Sequence, residues 1–165
     1  MPDPRAQVRA LVAQLMPHKR VGIAEEDGRC YSSAVVRVHG DGDAAPVHRD
    51  KALADADGWR VSQLTTQLSA VLCLQKPERG GELVMYRRMW TEEDEAHKAL
   101  GTLGYPKTLV TDVESCTIGA REGDLYIINP SLFHEIKATH GQRRRMTLGT
   151  FFGFADATPE LLFWS

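Results

Sequence analysis

Gly123-Asp124-Leu125-Tyr126-Ile127-Ile128-Asn129-Pro130-Ser131-Leu132-Phe133-His134-Glu135-Ile136-Lys137 is the stretch on which the fold turns. Gly123-Asp124 reads as a turn and 125–128 as an apolar β run. Pro130 breaks that run, because it has no N–H for a ladder, and His134 begins the next strand. Downstream, Arg145-Met146-Thr147-Leu148-Gly149-Thr150-Phe151-Phe152-Gly153-Phe154 reads as the last long strand. Upstream, 31–38, 63–74, 82–86 and 115–120 carry the same signal. Gly40-Asp41-Gly42-Asp43 and Lys76-Pro77-Glu78-Arg79-Gly80-Gly81 are turns between them. Residues 64–86 are expected as a hairpin closed by the Gly-Gly loop. Short strands spaced by turns predict an antiparallel sandwich or barrel.

Two segments break the β pattern. In 5–16, Val8, Leu11, Val12, Leu15 and Met16 recur at helical spacing. Asp3 is placed to cap that helix, Pro4 to open it and Pro17 to stop it. Thr91-Glu92-Glu93-Asp94 reads as a capping box opening about two helical turns that end near Gly101. This helix-and-loop insertion, 91–112, is either a solvated face or a lid.

The length of 165 residues suits one domain, 1–165, with its core at about 31–154. Twenty basic residues against 22 acidic ones give a net charge of −2, which excludes the basic footprint of a nucleic-acid binder. No apolar run approaches the roughly 20 residues of a membrane helix, so no membrane partner is expected. The polar Met1-Pro2-Asp3-Pro4-Arg5 start has no signal-peptide core. Cys30, Cys73 and Cys116 are widely spaced and form no Cys-x-x-Cys pair. A reducing, cytoplasmic location follows as the expectation.

Six histidines are present. His18, His97 and His140 are expected in solvent, and His39, at a strand end, likewise. His48-Arg49-Asp50 differs, because residues two apart on an extended chain face the same way. An imidazole and a carboxylate can then meet on one ion. A second histidine from another strand would complete a 2-His-1-carboxylate face with open positions, the pattern of non-haem iron(II) oxygenases. His134 is placed to be that histidine. Arg145 follows at the head of the final strand, with Thr147 on its face. An arginine fork beside a metal suits the distal carboxylate of a dicarboxylate co-substrate. Arg143 is the alternative anchor.

The ordered set His48-Arg49-Asp50, Gly80-Gly81-Glu82-Leu83, Gly123-Asp124, His134 and Arg145-Met146-Thr147-Leu148 resembles the iron(II)/2-oxoglutarate-dependent dioxygenases over roughly 31–154. Gly-Gly-Glu-Leu-Val-Met-Tyr and the closing Thr-Leu-Gly-Thr-Phe-Phe-Gly resemble free-standing members that act on small natural products, some of them halogenases. The resemblance implies a mainly β, double-stranded β-helix (jelly-roll) fold with a short N-terminal helix and a helical insertion. It implies iron(II) held by His48, Asp50 and His134. It implies 2-oxoglutarate anchored by Arg145 with Thr147 in support, dioxygen as oxidant and a small-molecule substrate. Halogenases of the family replace the metal-bound acid with Gly or Ala, so Asp50 favours hydroxylation, or a related oxidation such as desaturation, over halogenation. A prolyl-type peptidyl hydroxylase and a non-catalytic cupin-like module are the alternatives. Tyr86 is a candidate 2-oxoglutarate contact. Gln67 and Ser69 share a face that could line the site. Trp59, Trp90 and Phe133 are expected as packing. Arg37 is a strand arginine without an assigned partner.

Overall fold

The computed structural model describes residues 3–98 and 104–165. Helix α1 is Pro4–Leu15 and the short α2 is Ala52–Asp55. The longer strands are β1 (Arg20–Ile23), β2 (Val35–His39), β3 (Ala45–His48), β4 (Thr66–Gln75) and β5 (Leu83–Met89). They continue with β6 (Ser115–Ile118), β7 (Leu125–Ile128), β8 (Leu132–Ile136), β9 (Arg145–Phe154) and β10 (Glu160–Trp164). One sheet runs β1-β10-β9-β4-β7, with β2 also pairing β9. The other runs β3-β8-β5-β6. The fold is the jelly roll expected of the sequence.

Strand β9 shows why the layers stack as they do. Alternation sends Arg145 and Thr147 inward, where they share a cavity with Leu83 and Ile136 of the opposite sheet. Leu148 and Phe152 point outward into a cluster with Ala70, Phe163 and the α1 residues Val8 and Val12. Helix α1 starts as read: the Asp3 carboxylate accepts the Arg5 N–H at 2.9 Å, with Pro4 in the first turn. Its apolar stripe is narrow, since Leu11 and Leu15 stay exposed.

The second sheet is covered from outside by the insertion. Val84, Tyr86 and Phe133 pack there against Tyr105 and Val110. The segment forms two 3-10 helices, Glu92–His97 and Lys107–Val110, and the first carries the expected Thr91–Asp94 capping box. Its expected continuation to Gly101 lies outside the described residues. A cluster of this kind makes the insertion a buttress of the sheet.

Two expectations need correction. Residues 64–86 form no hairpin, because β4 and β5 belong to different sheets. Gly80 and Gly81, at φ of 73° and 75°, turn the chain from one layer to the other. A Cβ at Gly81 would stand 2.9 Å from Arg145 Cδ and 3.0 Å from Thr139 Cγ2. The sheet also extends past 31–154, since β1 and β10 pair in parallel and complete one edge.

Phe152 is 2% exposed and stacks on Phe163 at 5.5 Å between α1 and the sheet. Phe152→Ala should cost about 3–5 kcal/mol of unfolding free energy in urea titration. A loss under about 1 kcal/mol would show that the helix–sheet layer is not the main core.

Candidate metal centre

His48 ends β3 and stands directly opposite His134 of β8 in an antiparallel register. Their ring centroids are 4.2 Å apart. Asp50 lies just beyond the strand, where its N–H donates to the Pro130 carbonyl at 2.9 Å. One donor atom from each of His48, Asp50 and His134 falls within 4.8 Å of the others. Asp50 Oδ2 is 3.7 Å from His134 Nε2, too long for a hydrogen bond and wide enough to share an ion.

The donor chemistry fits a divalent metal. His48 Nδ1 lies 2.7 Å from the Pro46 carbonyl, and His134 Nδ1 lies 2.8 Å from that of Leu132. A carbonyl only accepts, so each Nδ1 carries a hydrogen, which leaves Nε2 as the nitrogen that a neutral ring would offer to a metal. Burial, reinforced by the neighbouring His134, pushes the His48 pKa down and keeps that ring neutral. Burial pulls the Asp50 carboxyl up, but His134, His48 and Arg37 outweigh it and hold the group below its ordinary value. A neutral imidazole and an ionised carboxylate are the states that bind metal.

A cavity of about 120 Å³ runs from this triad to Arg145, Thr147 and Tyr126. Arg145 is buried, and its Nε donates to the Gly81 carbonyl at 2.9 Å. Nη1 lies 3.5 Å from Thr147 Oγ1, and Nη2 lies 3.4 Å from the Tyr126 hydroxyl. All these partners are neutral, so the cation keeps its charge for an anion. Arg143 lies elsewhere, in the bend before β9, where it is exposed and paired with Glu122 at 2.5 Å. Strand alternation does not reach that far, which separates the two arginines.

Other residues are redistributed. Tyr86 is not at the cavity. It lies on the outer face of its sheet and donates to Glu135 Oε1 at 2.8 Å. Met85, in register with His134, takes the inward position instead. Ser69 does line the cavity. Gln67 lies beside it, with Nε2 donating to the Asp50 carbonyl at 3.3 Å. Phe133 packs on the outer face, and Trp59 is exposed against Tyr31. His39, expected in solvent, lines the cavity with its Nδ1 buried and unpartnered among the described residues. Tyr126 escaped the sequence reading. Its signal was the two-residue period it shares with Ile128, hidden in an apolar run.

A family model for the carrier-protein-independent halogenase WelO5 matches residues 2–165. The chain belongs to the WelO5 family. It thereby belongs to the iron(II)/2-oxoglutarate-dependent oxygenases, enzymes that use iron(II), 2-oxoglutarate and dioxygen. It is 30% identical over 173 residues to leucinostatins biosynthesis cluster protein S of Purpureocillium lilacinum, across 99% of this chain and 70% of that protein. It is 26% identical over 125 residues to the L-isoleucine 3(1)-dioxygenase of Pantoea ananatis, across 72% of this chain and 41% of that protein. An N-substituted L-amino acid dioxygenase from Burkholderia ambifaria shares the fold at a TM-score of 0.68 and 17% identity. That match covers 96% of this chain and 62% of the other. The chain thus spans between two fifths and seven tenths of the length of these relatives.

In this WelO5-family chain the residue between His48 and Asp50, just past the end of β3, is itself anchored. The Arg49 side chain is 4% exposed and pairs with Asp55 at 2.5 Å and Glu95 at 3.1 Å. Its guanidinium lies 4.2 Å from the Trp90 ring, and the Trp90 indole N–H donates to Glu95 at 2.9 Å. The insertion therefore grips the His-x-Asp turn from outside. Arg49→Ala should remove about 2 kcal/mol of stability, chiefly through lost packing. Asp55→Asn, at the exposed end, should cost under about 1 kcal/mol. Equal losses in urea titration would contradict the stacking account.

Proposed function

We propose that this protein is an iron(II)- and 2-oxoglutarate-dependent oxygenase that hydroxylates an unactivated C–H bond of a small molecule. The observation that carries the reading is one cavity with a ligand-competent His48–Asp50–His134 set at one end and an unneutralised Arg145 at the other. When bound, iron(II) would supply dioxygen activation coupled to decarboxylation of 2-oxoglutarate, with oxygen going to substrate and succinate and carbon dioxide leaving.

The chain's own residues have three tasks. His48, Asp50 and His134 would hold the ion and cancel one of its two charges, leaving positions open for co-substrate and oxygen. Arg145 would orient 2-oxoglutarate by its distal carboxylate, with Thr147 and Tyr126 steadying the fork. Val71, Leu83 and Ile128 would keep the cavity poor in water.

Two relatives named for amino acid oxidation support an amino acid or a related small molecule as substrate. The family's halogenase name raises chlorination as a second reading. Asp50 speaks against it, because its carboxylate would take the metal position that a chloride would need.

Anaerobic addition of iron(II) and 2-oxoglutarate should give a weak visible charge-transfer band, and His134→Ala should abolish it. Absence of a band from the unaltered protein at saturation would remove the reading. Arg145→Ala should weaken 2-oxoglutarate binding by about 100-fold or more, against less than about twofold for Arg143→Ala. The reverse order would reassign the anchor.

A further inference from the structure

Arg37 stands on β2 in register with Thr147 of β9, and both line the metal cavity. The neighbouring strand makes room for it at Gly149, where a Cβ would overlap Arg37 Nη1. The contrast with the other arginines is in their partners. Arg145 is held by Gly81, Thr147 and Tyr126, Arg49 by two carboxylates and Arg143 by Glu122. Among the described residues, the Arg37 guanidinium has no hydrogen bond and no ion pair. Its charge bears on His48 and Asp50 at one end of the cavity and on Tyr126 and His39 at the other. A solvent-accessible guanidinium that lines the same cavity as His48, Asp50 and His134, with no side-chain partner of its own among the described residues, is a fork of donors suited to a carboxylate.

We propose that Arg37 is a second carboxylate contact of this cavity, separate from Arg145, and that it binds a carboxylate of an organic acid seated beside the metal. The inference rests on the oxygenase reading above. The carboxylate has two possible sources: the one next to the ketone of 2-oxoglutarate, or that of an amino-acid-like substrate.

Calorimetry on the full chain loaded with redox-inert zinc(II) separates them. The probes are 2-oxoglutarate and 4-oxopentanoate, which keeps the ketone and distal carboxylate but has a methyl group in place of the other. A panel of N-acetyl-L-amino acids against their amides, added to protein saturated with 2-oxoglutarate, forms the second arm. Arg37→Leu should weaken one carboxylate contact by about tenfold or more. Loss for 2-oxoglutarate but not for 4-oxopentanoate assigns the co-substrate. Unchanged 2-oxoglutarate with a lost preference for acids over amides assigns the substrate. Gly149→Ala displaces the guanidinium without removing it and should follow Arg37→Leu. Arg37→Lys should retain part of the binding. Unchanged binding in both arms overturns the proposal while leaving the oxygenase reading intact. Failure of the unaltered, zinc-loaded protein to bind 2-oxoglutarate at all sinks both.

Discussion

The pairing of β3 with β8 is the constraint on which the site depends. It sets His48 across from His134. A slip of one residue would turn one imidazole to the outer face, into the apolar cluster under Tyr105. The register is held from several sides. Asp50 N–H is tied to Pro130, and Tyr105 N–H donates to the Val47 carbonyl at 2.7 Å. The pairing of β8 shifts on both sides of His134. Irregularities of this kind re-aim side chains next to sites. The proline that breaks the sequence pattern thus also supplies the carbonyl that seats the metal-side loop.

Charge is distributed by the same architecture. Outside β3, Arg49 is neutralised by two carboxylates and contributes grip without field. Inside, Arg145 and Arg37 meet only neutral groups or none, and Asp50 is the sole acid lining the cavity among the described residues. The cavity therefore carries excess positive charge before any metal enters. That excess favours organic anions over neutral molecules, and the Arg37 charge helps to hold the Asp50 carboxyl below its ordinary value. Gly81 and Gly149 make this possible, since side chains there would occupy the space of the two arginines.

Much of this was legible from residue patterns. Turn chemistry and β periodicity located β4, β5, β7 and β9 nearly to their ends, and the Asp3-Pro4 cap located α1. The convergence of His48 and Asp50 could be expected because they are two residues apart on an extended segment, although the strand itself ends at His48. Long-range pairing was not legible. Local turn signals cannot say that Gly80-Gly81 crosses between layers, so β4 and β5 were read as partners. Tyr86 was misplaced for a related reason: which face of β5 looks inward is decided by its pairing with β8. β1 and β10 were missed because they stabilise each other across the whole chain length, a contact that leaves no local trace.

Membership in a family named for a halogenase narrows the fold and the metal more than it narrows the outcome. A halide needs an open position where a carboxylate would otherwise sit. In the proposed site that position would belong to Asp50, whose backbone is fixed by Pro130 on one side and Gln67 on the other. Its carboxyl is held below its ordinary pKa in spite of its burial. Displacing such a carboxylate with chloride would exchange a tethered anion for one that must be drawn from bulk water. The tether wins on entropy alone, since its ordering is completed when the chain folds. One side chain, more than the family's name, is therefore what the proposed hydroxylation rests on.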